Sequence, residues 1–170
     1  MRGFILSLLS LFSLSMAVAQ SNSERPYAVG ADISWLQWQE DMGVEFSDGG
    51  VKGDALEILR DNGFNYIRLR LFVNPRSELG YSQRDGYCDL EHTLAMAKRI
   101  KEAGMYFLLD FHYSDNWADP QKQIMPQAWQ TFSYEEVCAE VYNHTKTTLE
   151  ALVAQGTAPD MVQVGNEVSN

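Results

Sequence analysis

The sequence predicts an α/β fold of parallel strands, the first four β/α units of a (β/α)8 barrel. Three observations carry that expectation. Strand-like and helix-like segments alternate from residue 27 onward, the signature of right-handed β/α crossovers. The longest loops follow strands while helix-to-strand links are short, which places the elaborated face at the strand C-termini. After the first strand stands Asp32-Ile33-Ser34-Trp35 rather than a glycine-rich phosphate turn, which disfavours a doubly wound open sheet, the runner-up.

The elements read in order as follows. Tyr27 to Ile33 is a first strand, broken by Gly30, and residues 35–50 are a long loop ending in a glycine pair. Asp54 to Asp61 carries Leu56, Ile58 and Leu59 at helical spacing, and Asn62-Gly63 stops it. Asn65 to Phe72 is the second strand, followed by a loop holding Pro75, Gly80 and Gly86. Leu90 to Ala103 is a helix with Leu94, Ala97 and Ile100 on one face, closed by Gly104. Met105 to Phe111 is a nearly continuous apolar strand, as expected when both faces are buried. A long loop from His112 to Gln130 precedes a helix that Ser133 and Glu136 start as a capping box, and that ends near Gly156. Asp160 to Gly165 is the fourth strand. Closing such a barrel takes eight strands, and four leave unpaired edges, so the expectation is that about as many residues again complete the domain.

Bulk properties narrow the function classes. Hydrophobic content of 45% and aromatic content of 12% are globular values. A formal net charge of −10 argues against nucleic acid or an anionic membrane as partner and fits a neutral ligand. Residues 1–19 read as a secretory signal peptide, with Arg2, an apolar stretch over 4–18 and Ala17-Val18-Ala19 as cleavage site before Gln20. Residues 20–26 are a polar leader, and 27–170 the barrel portion. Export to the periplasm, the cell surface or the medium is the expected destination, with no membrane span in the mature chain. Export permits a disulfide, so Cys88 and Cys138 are either bridged or free thiols. Two cysteines and three scattered histidines give no metal-binding spacing. The sequon Asn143-His144-Thr145 falls inside a helix and carries little weight.

Polar residues mark every strand end. Asp32 and Ser34 follow the first strand, Arg68 and Arg70 share one face of the second, Asp110 and His112 end the third, and Asn166 and Glu167 end the fourth. Charged groups inside apolar strands are costly unless paired or functional, so an Arg68–Asp110 ion pair filling the interior is one expectation and a catalytic set the other. A carboxylic acid beside an amide at a strand tip suits acid/base work on a glycosidic bond, which ordinarily needs two carboxylates. The loop HYSDNWADPQKQIMPQAW offers Trp117 and Trp129 for stacking on sugar faces and Asp115, Asp119 and Gln123 for hydroxyls. Trp35 and Trp38 extend that surface from the first loop. His112 reads as a hydrogen-bond partner of a carboxylate or sugar.

The strings VGADIS (29–34), NYIRLRLFVNP (65–75), MAKRIKEAGM (96–105), LLDFHYSDNWADPQKQ (108–123), PQAW (126–129) and PDMVQVGNE (159–167) together resemble the arabinogalactan endo-β-1,4-galactanases of glycoside hydrolase family 53. The resemblance covers nearly everything from Tyr27 onward. It implies endo-acting, retaining hydrolysis of β-1,4-galactan side chains of pectin by a monomer. Glu167 then matches the proton donor, its pKa raised by a nearby carboxylate and partial burial, and Asn166 the neighbour that binds the sugar 2-hydroxyl. Arg68 and His112 match supports of the catalytic carboxylates, and Asp32, Asp115, Trp117 and Trp129 fall in motifs lining the groove. The family's nucleophile is a second Glu on a seventh strand, and no residue here matches it. No cofactor is implied for this segment, and structural calcium belongs to the other half of the domain. The competing readings are a non-catalytic sugar-binding remnant and another retaining barrel glycosidase, such as a mannanase or cellulase.

Overall fold

A computed structural model describes residues 26–168. The signal-peptide expectation and most of the polar leader lie outside the described residues. Among them run β1 (Gly30–Asp32), α1 (Leu36–Asp41), β2 (Phe46–Asp48), β3 (Val51–Gly53), α2 (Ala55–Asp61), β4 (Tyr66–Leu71), α3 (Leu90–Glu102), β5 (Tyr106–Phe111), α4 (Tyr134–Ala154) and β6 (Met161–Val164). The main sheet has the order β1-β4-β5-β6 with every pairing parallel. Spatial order therefore equals chain order, the arrangement that successive β/α crossovers generate.

Period-2 alternation divides the sheet into two chemically distinct faces. Ile67, Leu69 and Leu71 of β4 and Phe107, Leu109 and Phe111 of β5 point to one face. There they form the core with Leu56 of α2, Met96, Ala97 and Ile100 of α3, and Leu152 of α4. The opposite face carries Tyr66, Arg68 and Arg70 beside Tyr106, Leu108 and Asp110, in register across the two strands. Stacked Tyr66 and Tyr106 rings, 4.9 Å apart, close its lower end. One face thus supplies hydrophobic stability, and the other is left for polar groups.

The helices begin and end as their residues dictate. Asp54 caps α2 by accepting from the Leu56 and Glu57 amides, and Asp89 caps α3 by accepting from His92 N–H. Ser133 and Glu136 make the expected reciprocal capping box on α4. Arg99 of α3 reaches across to Glu40 (2.7 and 2.8 Å) and Asp54 (2.9 Å), tying α1 and the start of α2 to the third helix.

Residues 35–50 depart from the expected loop. They hold α1 and the first strand of the antiparallel hairpin β2–β3. The helix LQWQED buries only Leu36 and has no side-chain N-cap, so it offers no apolar period to read. The hairpin turns on Gly49 and Gly50, both at positive φ (53° and 83°), as a tight two-residue turn requires. The glycine pair taken for the end of a loop is a hairpin signal. The first strand is also shorter than its apolar stretch, pairing only over Gly30–Asp32. A Cβ at Gly30 would meet the Tyr66 carbonyl oxygen at 2.9 Å, so the close approach of these strands requires glycine there. Cys88 is buried and Cys138 exposed, and both are free thiols.

Two measurements test this packing. Ile100→Ala, at a fully buried site remote from the polar face, is expected to cost about 2–5 kcal/mol, read as a drop in the urea midpoint at unchanged slope. His144 of α4 is packed against Phe111, Tyr113 and Trp129, and burial holds its imidazole pKa below the ordinary 6.5. The unfolded chain therefore takes up the proton first, so this contribution is complete above the unfolded value and is lost as pH falls below it. Denaturation midpoints should decline between about pH 7 and about pH 5, and His144→Leu should flatten that decline.

Candidate active site

The register of the four strands builds the site. Asp32 of β1 lies opposite Arg68 of β4, Arg70 of β4 opposite Asp110 of β5, and Asp110 opposite Gln163 of β6. These residues all point to the face away from the helices, and Arg68 is their centre. Its Nη1 donates to Asp32 Oδ2, and its Nη2 donates to Asp110 Oδ2 (2.6 Å) and Asn166 Oδ1 (2.9 Å). Longer bonds from Nε and Nη2 reach Gln163 Oε1 at 3.4 and 3.3 Å. One guanidinium thus binds the polar tips of the other three strands. Asp110 is fully buried, a position a carboxylate tolerates only with such a partner. The expected Arg68–Asp110 pair is present and is one part of this larger network.

His112 stands just beyond β5. Its Nδ1 accepts from the Ala118 N–H at 3.1 Å, so the neutral ring carries its proton on Nε2. That atom lies 3.0 Å from Asp110 Oδ2, near enough for attraction though off line for a good hydrogen bond. The ring meets Phe72 and Trp117 edge-on. His112 thus lies against the Asp110 carboxylate without hydrogen-bonding to it.

At the tip of β6, Asn166 is buried and its amide is nearly spent. Oδ1 accepts from Arg68 and from Gln163 Nε2 (3.3 Å), while Nδ2 donates to the Ala118 carbonyl (2.7 Å). One N–H remains for another partner. Gln123 steadies the same tip, donating to the Asn166 carbonyl at 3.0 Å and the Glu167 carbonyl at 3.5 Å. Glu167 sits at φ 48°, in the left-handed region, at a cost of order 1–3 kcal/mol for a residue with a side chain. Its side chain is exposed, so the partial burial expected of it is not provided by the elements described.

The remaining expected site residues divide. Asp32 is committed to Arg68 and to Ser34, whose hydroxyl donates at 2.6 Å. Asp115 is buried, and both its oxygens accept backbone N–H groups, from Asn74 (3.0 Å) and Gln127 (2.9 Å), so it stitches two loops together at the wall of the cavity beside Trp117. Trp129 is only 5% exposed, packs against His144, and borders a second concavity with His112, Gln123 and Gly165. Trp117 is 37% exposed and borders a cavity of about 230 Å³ with Leu79, Lys122, Ile124 and Gln127. Gln163 belongs to the site but was not singled out, although an amide inside the otherwise apolar MVQV strand is a readable signal.

With this geometry in view, the comparison with known proteins is direct. The profile of glycosyl hydrolase family 53 matches residues 28–170. The chain belongs to glycosyl hydrolase family 53. It is 45% identical over 142 residues to the probable arabinogalactan endo-beta-1,4-galactanase A of Aspergillus terreus, covering 83% of this chain and 38% of that protein. It is 36% identical over 170 residues to the arabinogalactan endo-beta-1,4-galactanase of Cellvibrio japonicus, covering 99% of this chain and 43% of the relative. The solved GH53 catalytic domain of Ignisphaera aggregans superposes with a TM-score of 0.74 at 43% identity, over 81% of this chain and 38% of that structure. The chain thus spans about two fifths of the length of these relatives, and its four-stranded parallel sheet is a partial (β/α)8 barrel.

The Arg68 hub has a direct test. Arg68→Met leaves the buried Asp110 charge without its partner and is expected to cost about 3–5 kcal/mol in chemical denaturation. Combining it with Asp110→Asn should restore part of that loss. A double variant as unstable as the sum of the two singles would show that the pair is not coupled.

Proposed function

We propose that this family 53 chain contributes to hydrolysis of β-1,4-linked galactan, with Glu167 as general acid/base. The observation that carries this reading is the placement of Glu167. It is an exposed carboxylate held in strained backbone geometry at a strand tip, and its neighbour Asn166 and that tip's backbone are fixed by Arg68 and Gln123. Strain of that kind survives only where the surroundings over-determine it, and it concentrates at catalytic positions. The names of the relatives supply the substrate class.

The chemistry follows from the arrangement. Glu167 protonates the departing glycosidic oxygen and later removes a proton from water, while Asn166 offers its remaining N–H to a sugar hydroxyl. Arg68 and His112 do not touch the reacting atoms in this scheme. They hold Asp110, Gln163 and Asn166 so that the carboxylate tip keeps one position. Retaining hydrolysis also needs an attacking carboxylate about 5–5.5 Å from the acid/base. The other strand-end carboxylates among the described residues, Asp32 and Asp110, are both paired with Arg68 and are poor candidates for attack. The nucleophile is therefore assigned to a segment other than these strands. Trp117 offers its partly exposed ring for stacking on a sugar. Export from the cytoplasm, to the side where such a polymer is met, is part of this reading.

In protein carrying this sequence, Glu167→Gln is expected to lower turnover of β-1,4-galactan at least about 100-fold with the fold unchanged by circular dichroism. Near wild-type rates would sink the assignment. Higher rates on β-mannan or cellulose than on galactan would move the protein to a different substrate class.

A further inference from the structure

Between the first and second strand-end loops lies a concavity of about 240 Å³ lined by Trp35, Trp38, Tyr81, Ser82, Asp85 and Tyr87. The loops follow β1 and β4, and Glu167 follows β6. Because these strands are parallel, the concavity opens at the same end of the sheet as the candidate acid/base. The volume is below the roughly 300–1,000 Å³ of a site for a drug-sized molecule and suits a single ring.

Its construction is that of a prepared surface. Trp35 and Trp38 are 43% and 48% exposed, although indoles are costly to leave in water. Beneath them the buried Arg70 guanidinium lies 4.8 Å from the Trp35 ring and 5.8 Å from the Tyr81 ring. Among the described residues its Nε and Nη2 have no hydrogen-bond partner, and the aromatic faces and Asp32, 3.8 Å away, lie against it instead. The same guanidinium lies 4.0 Å from the Trp117 ring, which joins this concavity to the candidate catalytic loop. The Tyr87 hydroxyl donates to Asp41, which fixes the far wall. Ser82 and Asp85 complete the lining, the Ser82 hydroxyl accepting the Gly86 N–H at 3.1 Å and the Asp85 carboxylate paired with Arg84. Aromatic faces with hydroxyl and carboxylate acceptors, and no lysine or arginine in the lining, match a neutral ligand rich in hydroxyl groups and disfavour an anion.

We propose that this cradle is a distal subsite that holds one neutral pyranose ring of the polysaccharide, away from the bond that is cut. The proposal rests on the reading of Glu167 as part of a glycan-cleaving site. Trp38 supplies the stacking face, and Arg70 is a positioning residue that keeps Trp35, Tyr81 and Trp117 in fixed orientation. Longer oligosaccharides then bind more tightly than short ones through a contact that does not involve the reacting sugar.

The test is binding of β-1,4-galacto-oligosaccharides from the dimer to the hexamer, followed by calorimetry and tryptophan fluorescence, with Trp38→Ala and Trp38→Phe beside the wild type. The wild type should gain affinity with length. Trp38→Ala should lose at least about fivefold on the hexamer and little on the dimer, and Trp38→Phe should recover most of the loss. If galactans bind and Trp38→Ala keeps the full length dependence, the subsite is overturned while the galactan reading stands. If only manno- or cello-oligosaccharides bind and Trp38→Ala weakens them, the subsite stands and galactan is the wrong polymer. If no glycan binds, the cradle proposal falls.

Discussion

A single guanidinium organises the chain. Arg68 projects from the second strand of the main sheet and binds the first strand through Asp32, the third through Asp110, and the fourth through Gln163 and Asn166. Backbone ladders alone would hold these strands side by side without specifying which polar groups meet at their tips. The guanidinium supplies that specification because its donors are planar and fixed in direction, unlike the flexible point charge of a lysine. Its charge is also permanent at any physiological pH. The buried Asp110 carboxylate is acceptable in the interior for this reason, and its other neighbour, His112, is held by the Ala118 amide.

The hub explains why the strand tip carrying Glu167 can adopt an unfavourable backbone conformation. Asn166 is anchored by Arg68 on one side and the Ala118 carbonyl on the other, and Gln123 clasps the adjoining carbonyls. The residue that follows is left with little choice of direction. Tyr113, just past the tip of β5, is likewise left-handed at φ 46°. In both places the left-handed residue lies just past the end of a strand, and the strain is borne by contacts made a few residues away.

Much of this was legible in the sequence. Apolar alternation and terminal glycines identify the strands and the longer helices, because burial and capping leave local marks on composition. Polar residues in apolar strands mark Arg68, Asp110 and Asn166, because buried charge needs a partner. What escaped reading depends on partners distant in the chain. Helix α1 has no apolar stripe of its own and relies on the Arg99–Glu40 contact with α3. Asp115 and Trp129 carry the composition of a sugar groove, and the sequence does not show that the carboxylate also accepts backbone amides of two loops or that the indole also meets His144. Side-chain chemistry alone does not distinguish a group that receives a ligand from one that receives another loop.

The sheet order has a kinetic consequence. Within the described sheet each strand pairs with the main-sheet strand made before it, so none of these pairings awaits a distant segment. The sheet can then grow by accretion while the chain is being synthesised, with each new unit docking on a surface already in place. The exposed apolar residues of β6, Met161, Val162 and Val164, lie along the leading edge of that growth. Until something covers it, this edge is open to pairing with another strand, and the speed of the next docking event sets how long neighbouring chains have to compete for it.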